Sequence, residues 1–457
     1  MSATFFPIGT TDGIGDACYL LTLNGTTLML DAGVHPQKEG WESVPEFHLA
    51  EGRDIDAILI SHCHLDHLGA LPIALAHFPH ASVLMSEASA VLAPVMLHHT
   101  ASVMHRRQAD GATEAPLYTH DQIDLIDYVF QGMKSHQPFP IFNLDKWDGD
   151  LQAQFFDAGH ILGASGICLQ GSETTVFYTG DTAFHEQEIL PGAEYPEGPI
   201  DVLITESTLG ADPSAENNTR KDVVQHFARS IAKVIQRDGN VLIPAFSLGR
   251  TQEMLATLHR LRDEDQIPDV DIYTAGFGDV VSNLYDRTVK YTRRRNPNLR
   301  LRNLDILPLP RGDVRRGAHL SRPSIILVSS GMMTKDTMSY RLAEVMLPDP
   351  RHGIFFVGYV DPDMPGYQIL AQKNEETLQL VPEGPDIPVQ CSVQRFHFSA
   401  HSHRRHLLHL VDRLSPRQVI LIHGERGAEG WLRESIQNQH PEIDVVIGEK
   451  GREISIG

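Results

Sequence analysis

The chain has 457 residues, with 38 lysines and arginines against 59 aspartates and glutamates, a net charge of −21 at pH 7. This length allows about two or three domains with a large hydrophobic core. The acidity argues against a generic nucleic-acid binder and against attraction to an anionic membrane. No apolar run is long enough to span a bilayer, no basic cluster near the N-terminus suggests a signal peptide, and the four cysteines form no CxxC pair. These features predict a cytoplasmic protein without disulfides and without membrane association.

Two predicted strands near the N-terminus lead into polar residues. Residues 28–33 read as a short strand that ends in Asp31, and residues 55–60 form an apolar run typical of a buried strand. The second strand runs into the hexapeptide HCHLDH at residues 62–67, and residues 68–78 then read as the start of a helix. In an open α/β arrangement, sites form at such strand ends.

The hexapeptide is the most informative stretch of the chain. His62 and His64 are two residues apart, so on an extended segment their side chains face the same side. Asp66 and His67 lie past the bend and can reach a second point a few ångströms away. A solvated polar loop is the alternative, but three imidazoles and a carboxylate in one turn have little other physical purpose. The spacing therefore predicts a site for two metal ions rather than one.

Further candidate ligands follow later strands. Residues 155–160 read as a short strand that ends in His160, and residues 176–181 as a strand that ends in Asp181. Each of these residues taken alone is more typical of a turn. Their order after the hexapeptide is what makes them candidates.

The hexapeptide resembles the HxHxDH signature of the metallo-β-lactamase superfamily, and the later strand ends match its successive motifs. The resemblance implies two Zn²⁺ per chain, with Mn²⁺ as the alternative for such a mixed histidine and carboxylate site. Asp31 would hydrogen-bond a ligand imidazole and hold its tautomer. The first ion would be bound by His62, His64, His160 and a bridging Asp181. The second would be bound by Asp66, His67, Asp181 and His423.

The pattern of predicted secondary structure changes after residue 209. Helical patterns alternate there with short apolar strands, which predicts a parallel sheet in a second α/β domain of Rossmann-like build. The predicted helices cover residues 223–235 and 251–261, and the predicted strands cover residues 241–245, 270–273 and 324–328.

Three motifs in this second half resemble the β-CASP branch of metallo-β-lactamase-fold nucleases. They are residues 203–208 with Glu206, residues 398–401 with His401, and residues 421–425 with His423; residues 244–253 and 329–333 support them. The implied fold is an α/β metallo-β-lactamase αββα sandwich with an inserted Rossmann-like β-CASP domain. The implied domains are residues 1–208 and 392–457 for the sandwich and 209–391 for the insertion.

The resemblance also implies an activity. His423 stands where RNA-processing members carry histidine, so the chain is most similar to compact endoribonucleases related to the nuclease subunit of pre-mRNA 3′-end processing, bacterial members included. A zinc-activated hydroxide would hydrolyse single-stranded RNA and leave 5′-phosphate and 3′-hydroxyl ends. Asp66 would orient the attacking water, and His401, held by Glu206, would be the general acid. Expected phosphate contacts are Arg250, Ser330 and Gly331.

An arginine-rich strip at residues 290–316 also favours phosphate contacts, with structural ion pairs as the alternative. Other functions remain open. One is a metallohydrolase of the same fold that acts on DNA or on a small phosphodiester or ester. Another is a non-catalytic or assembly-dependent subunit of an RNA-processing complex. The expected assembly is a homodimer or such a larger complex.

Overall fold

Two seven-stranded sheets pack face to face in the computed structural model. The structure describes residues 3–109, 111, 115–142, 151–217, 219–312, 314, 318–372, 377–380 and 384–457. The first sheet contains β1 (Ala3–Pro7), β2 (Tyr19–Leu23), β3 (Thr26–Leu30), β4 (Ala57–Ile60), β5 (Ser82–Ser86), β6 (Phe130–Met133) and the C-terminal β22 (Ile454–Ile456), in the order β22-β1-β2-β3-β4-β5-β6. The second contains β7 (Phe139–Ile141), β8 (Leu151–Asp157), β9 (Ser165–Gln170), β10 (Thr175–Tyr178), β11 (Val202–Glu206), β20 (Gln418–Ile422) and β21 (Asp444–Ile447), in the order β21-β20-β11-β10-β9-β8-β7.

Side-chain alternation along the strands divides the core into layers. On β20, Ile420 and Ile422 pack between the two sheets, whereas Val419 and Leu421 face the opposite way, against helices. These helices are α11 (Arg404–Leu414) and α12 (Arg426–Gln439), and they cover the second sheet. The first sheet is covered by α1 (Leu65–Leu68), α2 (Leu71–His77), α3 (Glu87–Ala109) and α4 (His120–Ile126). The expected αββα sandwich is thus confirmed.

A six-stranded, wholly parallel sheet forms the inserted domain, which confirms the predicted parallel build. Its strands are β12 (Val241–Pro244), β13 (Ile272–Ala275), β14 (Leu307–Pro308), β15 (Ile325–Val328), β16 (Gly353–Phe356) and β19 (Ser392–Arg395), in the order β14-β13-β15-β12-β16-β19. Its helices are α5 (Ser214–Asn217), α6 (Arg220–Ile235), α7 (Arg250–Asp263), α8 (Phe277–Arg287), α9 (Met338–Met346) and α10 (Pro365–Ala371). A short hairpin joins β17 (Thr377–Leu378) to β18 (Ile387–Pro388).

The edge strand of this sheet lies just past the expected domain boundary at residue 391. Ser392–Arg395 pairs in parallel with Gly353–Phe356, so a boundary after residue 391 would cut one strand from its sheet. We therefore propose that the inserted domain ends after Arg395. The other boundary stays a prediction at residue 208.

The chain leaves and re-enters the sandwich on adjacent strands. β11 precedes the insertion, β20 follows it, and the two pair in parallel with Glu206 opposite Ile422. The carboxyl ends of both strands therefore lie side by side at one edge of the second sheet. Among the residues that the structure describes, no helix is both long and apolar enough to cross a membrane.

Buried polar contacts join the inserted domain to the sandwich. Glu253 on α7 is 1% exposed, and its carboxylate accepts the backbone amides of residues 188–190 at 2.5, 2.9 and 3.1 Å. A second contact is the hydrogen bond from the Gln37 amide to the Asp361 carboxylate. Since a buried carboxylate needs such donors, Glu253 fixes the loop that follows Asp181 against α7.

Replacing Glu253 by alanine should destabilise the protein by about 3 kcal/mol or more, because three backbone amides would lose their acceptor. Urea unfolding monitored by circular dichroism would measure the loss. Glu264→Ala is the matched control: this residue is exposed beyond the end of the same helix and pairs with Arg260 at 3.0 Å. Its loss should stay below about 1 kcal/mol. Equal effects of the two substitutions would contradict the role given to Glu253.

Candidate metal centre

Four of the predicted metal ligands lie just after the carboxyl end of a strand. His62 follows β4, His160 follows β8, Asp181 follows β10 and His423 follows β20 directly. Asp66 and His67 lie in the short helix α1 that the hexapeptide begins. The structure brings all seven predicted ligands together at one edge of the two sheets.

Four donor atoms form the first cluster. His64 Nδ1 lies 3.2 Å from His62 Nε2 and 3.1 Å from His160 Nε2. Asp181 Oδ2 lies 3.6 Å from the Nε2 atoms of both His62 and His160. Donor atoms of a tetrahedral zinc site with bonds of about 2.0–2.1 Å stand about 3.4 Å apart. The spacing of these four atoms therefore fits one zinc ion.

A second cluster shares the same aspartate. His67 Nε2 lies 3.3 Å from His423 Nε2, 3.9 Å from Asp66 Oδ2 and 3.5 Å from Asp181 Oδ1. His423 Nε2 lies 3.5 Å from Asp66 Oδ2. The two oxygens of Asp181 thus face different clusters, which is the arrangement of a bridging carboxylate. Asp181 Oδ1 is buried and has no hydrogen-bond partner among the described residues, as expected of an oxygen that binds a metal ion.

Hydrogen bonds to the ring nitrogens orient the histidines, and His423 Nδ1 also lies 3.4 Å from Asp181 Oδ1. His64 Nε2 contacts the Leu248 carbonyl at 3.3 Å, and His160 Nδ1 contacts the Ala400 carbonyl at 2.8 Å. The remaining contacts are His62 Nδ1 to Ser61 Oγ at 3.1 Å, His67 Nδ1 to Asp31 Oδ2 at 2.8 Å, and His423 Nδ1 to Thr208 Oγ1 at 3.2 Å. Such partners fix the ring orientation of metal-binding imidazoles.

The sequence predicted that Asp31 would hydrogen-bond a ligand histidine, but it did not predict the hydroxyl groups that contact Asp31. Asp31 also accepts Tyr178 OH at 2.6 Å and Ser61 Oγ at 2.7 Å, so Tyr178 and Ser61 position it. Asp31 and His423 adopt left-handed backbone conformations, with φ of 61° and 54°. Non-glycine residues in this region are strained and need surrounding structure to hold them.

The turn before Asp181 requires glycine. Gly180 has φ of +53°, and a Cβ at this position would lie 2.8 Å from the Ser61 Cβ. A larger residue would therefore push Asp181 away from the histidines. This steric requirement explains why a glycine stands directly before Asp181.

Burial and charge shift the pKa values of these groups in opposite directions. Burial lowers the pKa of His62 and His160 well below the usual range, which keeps both imidazoles neutral and able to bind metal. Burial also opposes the charge on His67, but the carboxylates of Asp181 and Asp31 outweigh it and raise its pKa to about 10. Burial alone would raise the pKa of Asp181, yet the nearby imidazoles hold it well below its ordinary value. The carboxylates around His67 thus favour positive charge at this position.

His401 lies beside the metal cluster rather than in it. Its Nδ1 is 2.8 Å from Glu206 Oε2, and its ring centroid is 4.6 Å from that of His160. Glu206 is 1% exposed and also accepts the Thr182 amide at 2.7 Å. Burial lowers the pKa of His401, but the Glu206 charge and hydrogen bond outweigh it and raise the pKa to about 9. This shift favours the protonated imidazole at neutral pH, and the ring lines an adjacent cleft of about 380 Å³.

The structure places Arg250 in the interior of the protein. Its side chain is 5% exposed and donates to the Phe398 carbonyl at 2.5 Å and to the Gln187 amide oxygen. The guanidinium is thus held by contacts within the protein, and a phosphate contact of Arg250 stays a prediction. We propose that Arg250 positions the loop that carries His401.

Ser330 and Gly331 form a tight turn beside α7. The Ser330 Oγ accepts the Thr334 amide at 2.9 Å, and a Cβ on Gly331 would come within 3.0 Å of the Phe246 nitrogen. These contacts explain the residue types by packing. Phosphate contact by either residue stays a prediction.

The arginine-rich strip makes contacts within the protein. Arg293 pairs with Glu194 at 2.9 Å and Arg295 with Glu186 at 3.3 Å, while Arg294 donates to the Tyr285 carbonyl at 2.9 Å. These contacts favour the structural alternative over phosphate binding. Arg315 and Arg316 lie outside the described residues.

Comparison with known families matches most of the chain. The model of the metallo-β-lactamase superfamily matches residues 12–223, and that of the β-CASP domain matches residues 251–369. A third, described as a Zn-dependent metallo-hydrolase RNA specificity domain, matches residues 386–447.

Similar proteins come from several eukaryotes. The chain is 28% identical over 450 residues to cleavage and polyadenylation specificity factor 73 of Drosophila melanogaster, covering 95% of this chain and 61% of the relative. It is 29% identical over 465 residues to the endoribonuclease ysh1 of Schizosaccharomyces pombe, covering 97% and 57%. The chain thus spans about six tenths of these relatives' length. A crystal structure of an Enterococcus faecalis V583 protein of unknown function shares the fold over 100% of both chains, with a TM-score of 0.57 and 14% identity.

Proposed function

Because this chain belongs to the β-CASP family of metallo-β-lactamase-fold proteins, we propose that it is a metal-dependent endoribonuclease that hydrolyses RNA phosphodiester bonds. The observation that carries the proposal is the His401–Glu206 pair at 2.8 Å, beside two donor clusters that share Asp181. A hydrolase needs an acid for the leaving group next to its electrophilic centre, and this edge of the sheets offers both. The RNA specificity model over residues 386–447 and the endoribonuclease name of a relative support RNA as the substrate.

The family is zinc-dependent, and two Zn²⁺ per chain are our proposal from the two donor clusters. One ion would be held by His62, His64, His160 and Asp181, and the other by Asp66, His67, His423 and the same Asp181. When bound, the ions would lower the pKa of water towards neutrality and offset charge on the phosphoryl oxygens. Mn²⁺ remains the alternative occupant.

Two different residues act on the attacking water and on the leaving group. Asp66 is only partly buried and faces the second cluster, so its carboxylate can orient the attacking water. Glu206 raises the pKa of His401, which favours its protonated form, and the side chain is 17% exposed, so it can give a proton to the departing 3′-oxygen from the cleft side. Glu206 is buried behind His401 and stabilises its charge. The products would carry 5′-phosphate and 3′-hydroxyl ends.

Assembly is a second element of the proposal. Relatives are named as subunits or factors of cleavage and polyadenylation specificity, so this chain could require partner proteins for full activity. A reducing, cytoplasmic location is also proposed, supported by four cysteines that are all free.

Product mapping on labelled nucleic acids tests the activity. Purified protein should cut internally labelled single-stranded RNA, leave 5′-phosphate ends, and lose this activity in the presence of a zinc chelator. DNA of the same sequence should be cut much more slowly. Equal cleavage of DNA, or cleavage of a chromogenic phosphodiester alone, would move the assignment to another hydrolase of the same fold. Activity that appears only in an RNA-processing extract would indicate an assembly-dependent subunit.

Asp31→Asn should weaken zinc affinity about 10- to 100-fold, since His67 would lose the carboxylate that fixes its tautomer. Competition with a fluorescent chelator would measure this affinity. Asp56→Asn is the matched control, a buried aspartate that accepts the Thr27 amide at 2.8 Å away from both clusters. Zinc affinity that is unchanged in Asp31→Asn, or lowered equally in both variants, would remove the role given to Asp31.

A further inference from the structure

A third group of imidazoles includes two residues, His185 and His403, that line the same cleft as His401. This three-histidine cluster consists of His185, His403 and His406, all partly buried. One ring nitrogen of each lies within 4.8 Å of one ring nitrogen of each of the others. The rings of His403 and His406 stack at a centroid distance of 4.4 Å, and that of His185 lies 6.0 and 6.3 Å from them.

Two buried ring nitrogens of this cluster have no hydrogen-bond partner among the described residues. They are the Nδ1 atoms of His185 and His406. His185 Nε2 donates to the Ser399 carbonyl at 2.9 Å, so its Nδ1 carries the lone pair. A buried ring nitrogen without a partner costs free energy, unless something that the lone pair can bind occupies the space. A backbone carbonyl on the far nitrogen is also the usual outer contact of a metal-binding histidine.

The backbone arrangement suits a chelate. His403 caps the N-terminus of α11 and His406 lies one turn further, so the spacing of three residues places both rings on one face. His185 comes from the segment after Asp181, on a different part of the sandwich. Asp212 and Glu216 line the same cleft as His185 and His403, and so do Arg220 and Arg395, so the charge of the cleft wall is mixed and the imidazoles themselves carry the proposal.

We propose that the three-histidine cluster is a further metal site, which binds one Zn²⁺ or a similar first-row divalent ion with an open fourth position. Imidazole nitrogens are preferred ligands of such ions. The present separations of up to 4.8 Å would have to shorten to about 3.4 Å, a ring movement of about 1 Å. This proposal does not depend on RNA hydrolysis.

An ion at this position would have two effects. It would tie α11 to the segment after Asp181 and, through the Ser399 carbonyl, to the loop of His401, whose amide donates to Ser399 Oγ at 3.0 Å. It would also place positive charge on the wall of the cleft that His401 lines, in a chain whose net charge is −21. The second effect favours a polyanionic substrate.

Zinc stoichiometry tests the proposal without an activity assay. Protein purified without added zinc is measured by plasma mass spectrometry, and His406→Gln should contain about one zinc ion per chain fewer than the wild type. His409→Gln is the matched control, an exposed histidine on the same helix, and should keep the wild-type content. Equal zinc content in the wild type and in a folded His406→Gln would overturn the proposal.

Anomalous diffraction at the zinc edge from wild-type crystals decides the case if His406→Gln does not fold. A peak between the rings of His185, His403 and His406, separate from any peak near Asp181, would establish the site. No peak, or a peak only after soaking in millimolar zinc, would show that the cluster is ordinary ring packing.

Discussion

Asp181→Ala is expected to abolish RNA cleavage and to remove most bound zinc from the protein. The two oxygens of Asp181 face different clusters, with Oδ2 at 3.6 Å from His62 and Oδ1 at 3.5 Å from His67. Removing this one side chain therefore takes a donor from both sites at once. The expected loss of activity is at least about 10³-fold, because charge stabilisation at the reacting phosphate would fail.

Metal analysis and a nuclease assay on the same Asp181→Ala preparation give the two readouts. Asp305→Ala serves as the control, since Asp305 is 81% exposed and makes only a surface pair with Arg262 at 3.6 Å. This control should keep both zinc and activity. Asp181→Ala that retains full zinc content would show that the carboxylate does not bridge two ions.

His401→Ala is expected to keep the zinc content of the wild type and to slow RNA cleavage about 10²- to 10⁴-fold. The nearest cluster residue, His160, takes its outer hydrogen bond from the Ala400 carbonyl, a backbone group that the substitution leaves in place. The loss should therefore fall on proton transfer rather than on metal binding. Glu206→Gln should show a smaller loss, because the imidazole remains but its stabilising charge is gone.

A substrate with a better leaving group separates proton donation from phosphate binding. RNA with sulfur in the 3′-bridging position expels a thiolate, which needs no proton. On this substrate, His401→Ala should lie within about 10-fold of the wild type if the imidazole is the general acid. The same deficit on both substrates would instead assign His401 to binding of the phosphate.

The local part of the site could be predicted from the sequence because the hexapeptide concentrates four donors in one turn. Spacing alone predicts that His62 and His64 point to the same side of the chain and that Asp66 and His67 can reach a second metal position. His160 and Asp181 follow strands as single polar residues, a pattern that turns also show. Their assignment therefore required the resemblance to a family.

The sequence could not predict which neighbours a side chain contacts once distant segments of the chain pack together. Arg250 begins a helix after a glycine, a position typical of phosphate contact, but the fold turns this helix end towards Phe398 and Gln187 and buries the guanidinium. The hydroxyls of Ser61 and Tyr178 follow no motif, and only the packing of two sheets brings them to Asp31.

Because the inserted domain lies between β11 and β20, the residues of the site are synthesised in two separate stages. All four donors of the first cluster are synthesised before the insertion begins. His401 and His423 emerge only after the whole inserted domain has been made. Since chains fold from the N-terminus during synthesis, a nascent chain could acquire one ion and still lack the acid and the last ligand. The proposed cleavage activity would thus arise only after the whole insertion and the strand that precedes His423 have been translated.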